Sequence, residues 1–398
     1  MRLLIVQPWI SYRGSETVSL LEAVYWEKLG GETAVACLFV DWGRISDRFH
    51  NVDFILPPVL LSRLFASSRL IRAVLGFPTL FFLVLVHSRG FDALNPHNLP
   101  SVWVCALVKP FTKAAVVWTV HGVPKRAHPE SSLFEKLIWS IATSPIDRWA
   151  VDKADLVICV SRKVRDDVKR RYGRESHILY PPVDVERSAC GHGTIVREAL
   201  GVGEKDFVLL HVSYLHPAKN VDISIGTLAR IQMKVPNARL IIVGGGPQEP
   251  ALKKLAQSLG VADQIVFAGF VEPSRICHFY SAADLVVVPY WETEGNPLVV
   301  LEAVSAGKPS VVAEGSGADE LAESEGLAMV ASPTVDDFSQ KVIQFHHSQE
   351  AWSAKLQGAK RFVEERLSGE GYAKELRRLL HSQIDGVTRK ISAEIVEE

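Results

Sequence analysis

The chain alternates short apolar runs with longer stretches in which apolar residues recur at helical spacing. In the first half this pattern predicts a helix over 16–29 and strands at 3–7, 34–40, 93–96, 115–120 and 156–160. In the second half it predicts strands at 207–212, 239–243, 264–267, 285–289, 310–313 and 327–330. Strands separated by helices indicate parallel sheets whose ligands bind at the carboxyl ends of the strands. We therefore expect two Rossmann-like α/β halves with a cleft, and we look for function in the loops that follow strands.

The boundary between the halves is marked by Tyr180-Pro-Pro-Val-Asp184, where two prolines stop the preceding strand. We predict a first domain over 1–182 and a second over 183–365. The amphipathic stretch 352–380, broken at 368–371, is either the last helix of the second domain or a helix, about 366–385, that returns to the first. Residues 386–398 are predicted to be a frayed polar tail.

Composition narrows the class of protein. The 398 residues carry a net charge of -1, which gives no bulk attraction to nucleic acid, and are 47% hydrophobic, as in soluble globular proteins. The five cysteines are scattered with no CxxC pair, which favours buried thiols in a reducing compartment. No secretory signal opens the chain, because Met1–Val6 has the pattern of a strand. A cytoplasmic protein is expected.

Two segments bear on membrane contact. The apolar stretch 70–86 is interrupted by Arg72, Gly76 and Pro78 and is too short for a typical span, so it is either a buried helix of the first domain or a shallow interfacial segment. The basic stretch 162–174 is either a solvated face or a site for anionic lipid or a phosphorylated acceptor. A peripheral contact with the inner face of the membrane therefore stays open.

The central motif runs from Tyr290 to Val312 and contains Glu294-Gly-Asn-Pro-Leu-Val-Val-Leu-Glu302 just after an apolar strand. Asn296 is a suitable N-cap and Pro297 suits the first helical position, so a helix should start between the glutamates. If both glutamates were helical they would lie about 12 Å apart along the axis, too far for the acid/base pair of a glycosidase. The helix N-terminus instead favours an anion such as a diphosphate.

Glu294 to Glu302, followed by Gly307-Lys-Pro309, resembles the EX7E signature of retaining glycosyltransferases of family 4. The resemblance implies the GT-B fold, with two Rossmann-like domains facing a cleft and a C-terminal helix that crosses back to the first. It implies that Glu294 contacts the transferred sugar and Glu302 the ribose hydroxyls. The backbone of the donor-binding residues at the helix start would lie near phosphate: Gly295, Asn296, Pro297 and Leu298.

Three loops of the first half carry further candidates. Ser11–Glu16 resembles the family's GGxE loop, with Gly14 and Ser15 toward the donor phosphate and Arg13 in place of the first glycine, beside the acceptor; a plain tight turn is the alternative. His97 keeps one histidine of the family's H-x-H element and is either structural or acceptor-binding. His121 matches the T-x-H-G histidine that meets the donor sugar, and we treat it as catalytic.

The second half carries the donor loops. Ser213–Asn220 resembles the family's G-R-L-x-x-x-K-G element, whose arginine and lysine hold the diphosphate; Lys219 is kept, but Tyr214 stands at the arginine position. Gly246 belongs to a G-x-G-P loop near the nucleotide, and Phe270 and Val271 to a segment that reads the base through its backbone. The stretch 315–320 resembles the family's GG-x-x-E turn, or is only a structural turn.

No D-x-D triplet and no metal-ligand spacing occurs in the sequence, so we predict metal-independent transfer with no cofactor beyond a UDP- or GDP-sugar donor. The function expected is retaining transfer of a hexosyl group to a glycan or lipid-linked acceptor, in cell-envelope polysaccharide or glycolipid synthesis. Two alternatives remain. One is a nucleotide-sugar 2-epimerase of the same fold, and the other is a decayed transferase that serves as a glycan-binding or partner protein.

Overall fold

A computed structural model of the chain describes residues 1–11, 14–123, 145–189, 191–290 and 295–397. The chain divides into two compact units, Met1–Pro182 with Gly369–Glu398, and Val183–Ser368. Each unit is an α/β unit built on one parallel sheet, as the alternation of strands and helices predicts.

Unit 1 contains a seven-stranded sheet in the order β3-β2-β1-β4-β5-β6-β7. Its strands are β1 Arg2–Val6, β2 Glu32–Ala36, β3 Phe54–Ile55, β4 Ala93–Pro96, β5 Ala115–Val120, β6 Leu156–Cys159 and β7 His177–Ile178. Its helices are α1 Gly14–Lys28, α2 Val59–Ser67, α3 Arg69–His87, α4 Leu99–Val108, α5 Pro145–Asp152, α6 Arg162–Tyr172 and the terminal α16 Gly369–Glu397. Helices cover both faces of the sheet, since Leu3 and Ile5 enter one buried cluster while Leu4 and Val6 enter another.

Unit 2 contains a six-stranded sheet in the order β10-β9-β8-β11-β12-β13. Its strands are β8 Phe207–Val212, β9 Ala238–Val243, β10 Ile265–Gly269, β11 Leu285–Val288, β12 Ser310–Ala313 and β13 Met329–Ala331. Its helices are α7 Val185–Ala189, α8 Gly193–Ala199, α9 Val221–Ile231, α10 Glu249–Ser258, α11 Ile276–Ala282, α12 Leu298–Ser305, α13 Asp319–Glu325, α14 Val335–His347 and α15 Gln349–Phe362.

The strand order reverses once in each sheet, between β1 and β4 and between β8 and β11, and we call each reversal a switch point. Loops at such a point leave in opposite directions along the sheet and open a crevice at the carboxyl ends of the strands. The loops that follow β1, β4, β8 and β11 are therefore the places where each unit can hold a ligand.

The end of the chain differs from the prediction. The helix α16 begins at Gly369, within the predicted break, and packs Tyr372, Leu376 and Leu380 against the core of unit 1. It is helical to Glu397, in the segment where the sequence predicts a frayed polar tail.

The apolar stretch 70–86 is helical, but the interpretation as a buried helix is wrong. Helix α3 continues through Pro78 with most of its side chains in solvent. Among the described residues, the stretch Leu70–Gly90 is long and apolar enough to cross a membrane, by length and composition alone, and 17% of its most apolar 18-residue window is buried.

The structure also agrees with two smaller expectations, one about the basic helix and one about the cysteines. The basic helix α6 buries Val164, Val168 and Tyr172, while its arginines form exposed ion pairs with Asp166 and Asp167, as expected of a solvated face. Burial raises the pKa of the Cys159 thiol to about 12. Cys159 and the other described cysteines are buried and form no disulfide, namely Cys37, Cys105 and Cys277. Cys190 lies outside the described residues.

Candidate active site

The crevice of unit 2 begins with the loop that follows β8. Ser213 donates its backbone N–H to Val243 O (3.0 Å), and Leu215 donates to Gly245 O (3.1 Å). The β8 loop is therefore fixed against the glycine turn that follows β9. The end of β10 joins the same cluster, because Gly244 N donates to Gly269 O at 2.7 Å.

Two glycines make this approach possible. A Cβ at Gly244 would lie 1.8 Å from Ser213 O, and a Cβ at Gly246 would lie 2.4 Å from Leu215 O. Gly244 also has a backbone φ of +123°, which L side chains rarely adopt. The glycine turn, Gly244–Gly246, is thus built for close contact with the β8 loop, and it places its backbone at the rim of the crevice.

Lys219 ends the β8 loop and faces the end of β11. Its Nζ lies 4.4 Å from the centre of the Tyr290 ring, and the Tyr290 hydroxyl donates to Val212 O (3.3 Å). Asn220, at a φ of +47°, donates its side-chain amide to Pro289 O (3.0 Å). These contacts join the loops on the two sides of the switch point and place one cation there.

Tyr214 occupies the position at which the family resemblance expects an arginine. Its side chain is 57% exposed, and its ring stacks on the His216 ring with centroids 6.3 Å apart. The exposed position gives a longer side chain room in the β8 loop.

The helix of the central motif is α12, and it starts one residue later than predicted. Pro297 is the N-cap, with extended backbone, and Leu298 is the first helical residue. Asn296 is therefore not the N-cap, because Pro297, which lacks an N–H, holds the extended conformation instead. Gly295 is buried, so the backbone just before α12 is covered by the surrounding protein. Glu294 lies outside the described residues, so its role rests on the sequence motif.

Glu302 lies in the second turn of α12. Its Oε2 accepts a 2.5 Å hydrogen bond from the Tyr280 hydroxyl. Burial raises the pKa of Glu302, while this hydrogen bond and nearby Arg187 oppose the shift. The carboxyl is thus held in a fixed orientation in a poorly solvated place, where a hydrogen bond to a ligand hydroxyl is strengthened.

The turn over 315–320 is closed by a residue that the motif does not include. Asp319 accepts hydrogen bonds from the backbone N–H groups of Gly315 (2.7 Å) and Gly317 (2.9 Å). Both glycines have positive φ, at +76° and +83°. Further along the same sheet edge, Phe270 follows β10 and is 53% exposed.

His211 was not predicted. It lies inside β8, fully buried, and its two ring nitrogens lie 2.8 Å from the hydroxyls of Ser224 and Ser213. Desolvation, with a smaller effect from Lys219, lowers the pKa of His211 to about 3. The ring stays neutral and fixes Ser213 at the start of the β8 loop. A histidine within an apolar strand carries no motif, so the sequence offered only its buried position as a signal.

The loop after β1 in unit 1 is fixed by Glu16. Its buried carboxylate accepts hydrogen bonds from the backbone N–H of Ser11 (2.6 Å) and from its hydroxyl (3.2 Å). Helix α1 starts at Gly14, so Gly14 and Ser15 present backbone N–H groups at a helix N-terminus, as predicted. Arg13 lies outside the described residues.

His97 and His121 lie together at the ends of β4 and β5. His97 Nδ1 and His121 Nε2 are 2.9 Å apart. His97 is 1% exposed, so it is a structural neighbour of His121 and does not present its ring to an acceptor. Desolvation, followed by the nearby His97 ring, lowers the pKa of His121 well below its ordinary value. His121 is therefore a neutral hydrogen-bonding group at neutral pH.

A buried carboxylate supports this pair, and the sequence did not indicate it. Glu22 on α1 lies 3.6 Å from His97 Nε2 and accepts hydrogen bonds from Asn95 (2.5 Å) and from the Tyr372 hydroxyl (2.8 Å). Tyr372 belongs to α16, so the end of the chain completes the network around the histidines. A glutamate on a helix is too common for its sequence alone to reveal such a role.

The part of the chain that the structure describes contains no group of three or more His, Cys, Asp or Glu side chains placed to hold a metal ion. Metal-independent chemistry stays a prediction for experiment.

Solved structures share the fold of the chain. The HepE protein of Anabaena in complex with UDP-glucose superposes with a TM-score of 0.75 over 96% of this chain and 100% of its own, at 20% identity. The catalytic domain of starch synthase IV from Arabidopsis thaliana, bound to ADP and acarbose, gives a TM-score of 0.75 over 96% and 99%, at 10% identity. The predicted GT-B class is confirmed.

Sequence relatives point the same way. The chain is 30% identical over 258 residues to a GDP-mannose-dependent alpha-(1-6)-phosphatidylinositol monomannoside mannosyltransferase of Mycolicibacterium smegmatis, covering 59% of this chain and 64% of that protein. It is 32% identical over 205 residues to D-inositol 3-phosphate glycosyltransferase 2 of Catenulispora acidiphila, covering 48% of each. These alignments span less than two thirds of either relative.

Family profiles cover most of the sequence. The profile described as Glycosyltransferase Family 4 matches residues 12–187, and the profile described as Glycosyl transferases group 1 matches residues 194–366. The two matches meet near the boundary between the units, and the second includes the loops that follow β8 and β11. The chain therefore belongs to the group 1 glycosyltransferases of family 4.

Proposed function

We propose that the chain moves a hexosyl group from a UDP- or GDP-sugar to a glycan or lipid-linked acceptor, with retention of configuration, in cell-envelope polysaccharide or glycolipid synthesis. One observation carries the proposal: the β8 loop, the glycine turn and the end of β11 are joined at the switch point of unit 2, with Lys219 among them. A cation and close-packed backbone there suit a diphosphate. The named activity of the Mycolicibacterium smegmatis relative, which uses GDP-mannose and a phosphatidylinositol mannoside, supports a nucleotide-sugar donor and a lipid-linked acceptor.

The roles of the residues follow from their chemistry. Lys219 and the N-terminus of α12 would neutralise the diphosphate as it leaves. Glu302, oriented by Tyr280, would accept hydrogen bonds from the ribose, and Glu294 would hold the transferred sugar. The C–O bond to phosphate breaks, the acceptor oxygen bonds to the anomeric carbon on the same face, and its proton passes to the leaving phosphate. No side chain is needed as a general base in this scheme, and His121 serves as a hydrogen-bonding group to the sugar.

A thermal-shift panel of UDP-, GDP- and ADP-sugars tests donor binding first. A donor present at a hundredfold excess over its Kd stabilises the folded state by about 2.7 kcal/mol, or roughly 5 to 10 °C in Tm for a unit of this size. NMR of the products then identifies the reaction. A transferase needs an acceptor, whereas an epimerase releases free nucleotide and an altered sugar without one.

The Glu294→Ala variant tests the motif directly. We expect transfer to be lost while the thermal shift with nucleotide remains. Turnover at the wild-type rate in this variant would remove Glu294 from the mechanism. A chain that shows neither a thermal shift nor turnover with any donor in the panel would contradict the proposed function.

A further inference from the structure

Helix α3 carries the largest concentration of exposed apolar side chains in the described part of the chain. Of the 19 large hydrophobic residues exposed in that part, nine lie between Val59 and Val86. On α3 the most exposed follow helical spacing: Leu70 (69%), Val74 (63%), Phe82 (61%) and Val86 (71%). The opposite side of the helix is anchored, because Leu80 and Val84 belong to the core of unit 1. The helix is thus fixed to the fold with an apolar face in solvent.

Helix α2 extends this face. Val59, Leu60 and Leu64 are 69%, 75% and 40% exposed, and Arg63 lies on the same side of the helix. At the other end of α3, Thr112 donates its hydroxyl to Ser88 O, which brings the 54% exposed Phe111 next to the helix. We call the exposed sides of α2 and α3 the α2–α3 face. The exposed apolar residues of this face are clustered, whereas those on the surface of an ordinary monomer are scattered singly.

The charges around the face have one sign. Between residues 54 and 91 the sequence contains four arginines and no aspartate or glutamate. A protein partner matched to this face would need an acidic apolar surface, whereas an anionic bilayer offers negative headgroups above an apolar interior. Charge complementarity therefore favours a lipid surface.

We propose that the α2–α3 face docks on an anionic lipid bilayer, with α3 lying in the plane of the interface. A span across the bilayer would remove Leu80 and Val84 from the core, so the in-plane position is the one that the fold permits. The inference is independent of the chemistry proposed above, because it concerns binding to vesicles and needs no donor.

Flotation of the full chain with phosphatidylcholine vesicles, with and without phosphatidylglycerol, tests the proposal. We expect binding to the anionic vesicles, and at least a tenfold loss in a variant with Leu70→Ser, Phe82→Ser and Val86→Ser. The matched control carries Ile195→Ser, Met233→Ser and Leu259→Ser, which are also exposed but lie in unit 2. Arg63→Gln should weaken binding about fivefold on anionic vesicles only, as expected for one cation near a charged leaflet.

Several outcomes would overturn the proposal. They are no binding to any vesicle, unchanged binding by the α3 variant, and equal loss in the control variant. Resistance of the bound protein to extraction by alkaline carbonate would show a span and contradict the in-plane position. A dimer in sedimentation that the α3 variant dissociates would show that a second copy covers the face.

A second inference concerns His121 and rests on the proposed function for its role. Both oxygens of Glu22 accept hydrogen bonds, from Asn95 and from Tyr372, whose pKa burial and the Glu22 charge raise well above its ordinary value. The Tyr372 hydroxyl therefore stays a donor. His97 Nε2 is buried, forms no hydrogen bond with any described residue, and has Glu22 Oε2 at 3.6 Å.

The chemistry of the network fixes the direction of the hydrogen bond between the histidines. A carboxylate only accepts, so the proton of His97 belongs on the nitrogen that faces it, Nε2. With one ring proton, placed on Nε2, His97 accepts at Nδ1, and His121 Nε2 donates to it. We infer that Glu22, acting through His97, holds His121 in the tautomer whose Nδ1 accepts a hydrogen bond from a sugar hydroxyl. Glu22 and His97 are thus positioning residues.

The ¹⁵N chemical shifts of the histidine rings test this without any substrate. In the wild type, His121 should carry its proton on Nε2. In Glu22→Gln, the Asn95 amide still donates a hydrogen bond to the side-chain oxygen at position 22 and keeps that oxygen on its side. The new amide nitrogen then faces His97, so the tautomers of His97 and His121 should both reverse. Tyr372→Phe keeps the carboxylate and should keep the wild-type pattern. With the transferase assay, Glu22→Gln should lower kcat at least tenfold.

The spectrum and the activity separate two kinds of failure. A wild-type His121 protonated on Nδ1, or an unchanged pattern in Glu22→Gln, overturns the positioning role. If the tautomers reverse as expected while wild-type protein shows no transfer, the proposed function fails and the network stands. If the Glu22→Gln variant does not fold, the wild-type spectrum alone decides.

Discussion

The glycine turn of unit 2 offers a prediction with an internal control. At Gly244 the backbone φ is +123°, and a Cβ would lie 1.8 Å from Ser213 O. At the next position, Gly245, a Cβ would meet nothing within 4 Å. Gly244→Ala and Gly245→Ala therefore add the same methyl group to neighbouring residues of one loop, and only the first creates a clash.

The size of the effect follows from the contacts that must open. Ser213 can move away only if its hydrogen bond to Val243 O breaks, and Gly244 can move only if its bond to Gly269 O breaks. Each bond contributes about 1 kcal/mol, and the backbone strain adds about 1 to 3 kcal/mol. Gly244→Ala should thus cost roughly 3 to 5 kcal/mol, which corresponds to a fall in Tm of roughly 6 to 20 °C for a unit of this size.

Calorimetry of the full chain measures the change, and hydrogen exchange assigns it to a unit. We expect faster exchange in the β8 and β9 segments of Gly244→Ala, with the strands of unit 1 unchanged. Gly245→Ala should stay within about 0.5 kcal/mol of wild type, as surface substitutions usually do. A Gly244→Ala protein with wild-type Tm, or equal losses in both variants, would refute the reasoning about close approach.

Four further outcomes are expected. Lys219→Ala should weaken donor binding about tenfold or more, as expected for the loss of a charge-assisted hydrogen bond. The control is Lys205→Ala, which removes an exposed lysine before β8 and should leave donor binding unchanged. Titration calorimetry with the donor measures both affinities. Tyr214→Arg should tighten donor binding in the same assay, because the exposed loop position then supplies a bidentate donor; unchanged affinity would show that the position does not face the diphosphate. Glu302→Gln should raise the Tm of the ligand-free protein at pH 7, since folding raises the pKa of Glu302 and so disfavours its charged form. In thermal scans the gain should fall as the pH drops through about 4.3 and vanish near pH 3, where the carboxyl is protonated in both states; equal gains at pH 7 and pH 3 would contradict the cause. Transfer should persist in excess chelator in a discontinuous product assay, and strict dependence on added Mg²⁺ or Mn²⁺ would contradict metal-independent chemistry.

The periodicity of the sequence predicted most strands within two residues, and the strands 93–96, 115–120, 207–212 and 310–313 as observed. It missed β3 and β7 because two residues each are too few to show alternation. It also could not tell whether α3 is buried. An apolar helix that covers a core and one that faces a lipid surface have the same composition, and only the packing of Leu80 and Val84 distinguishes the two sides.

The donor loops were more accessible to prediction than the network of unit 1. Gly246 and Lys219 are recognisable because their roles demand a particular residue type at a particular distance from a strand. Asp319 and His211 are not recognisable from the sequence, since each forms hydrogen bonds with groups that come close only in the folded protein.

The network around His121 shows why this difference arises. Glu22 and Tyr372 are 350 residues apart, and each contributes one ordinary polar group to a buried cluster. Neither residue is special at its own place in the sequence, and their chemistry appears only because α16 packs on unit 1 beside α1. The buried cluster beside His121 therefore combines residues from near opposite ends of the chain. The chemistry of unit 2 is encoded in loops, whereas that of unit 1 depends on tertiary packing.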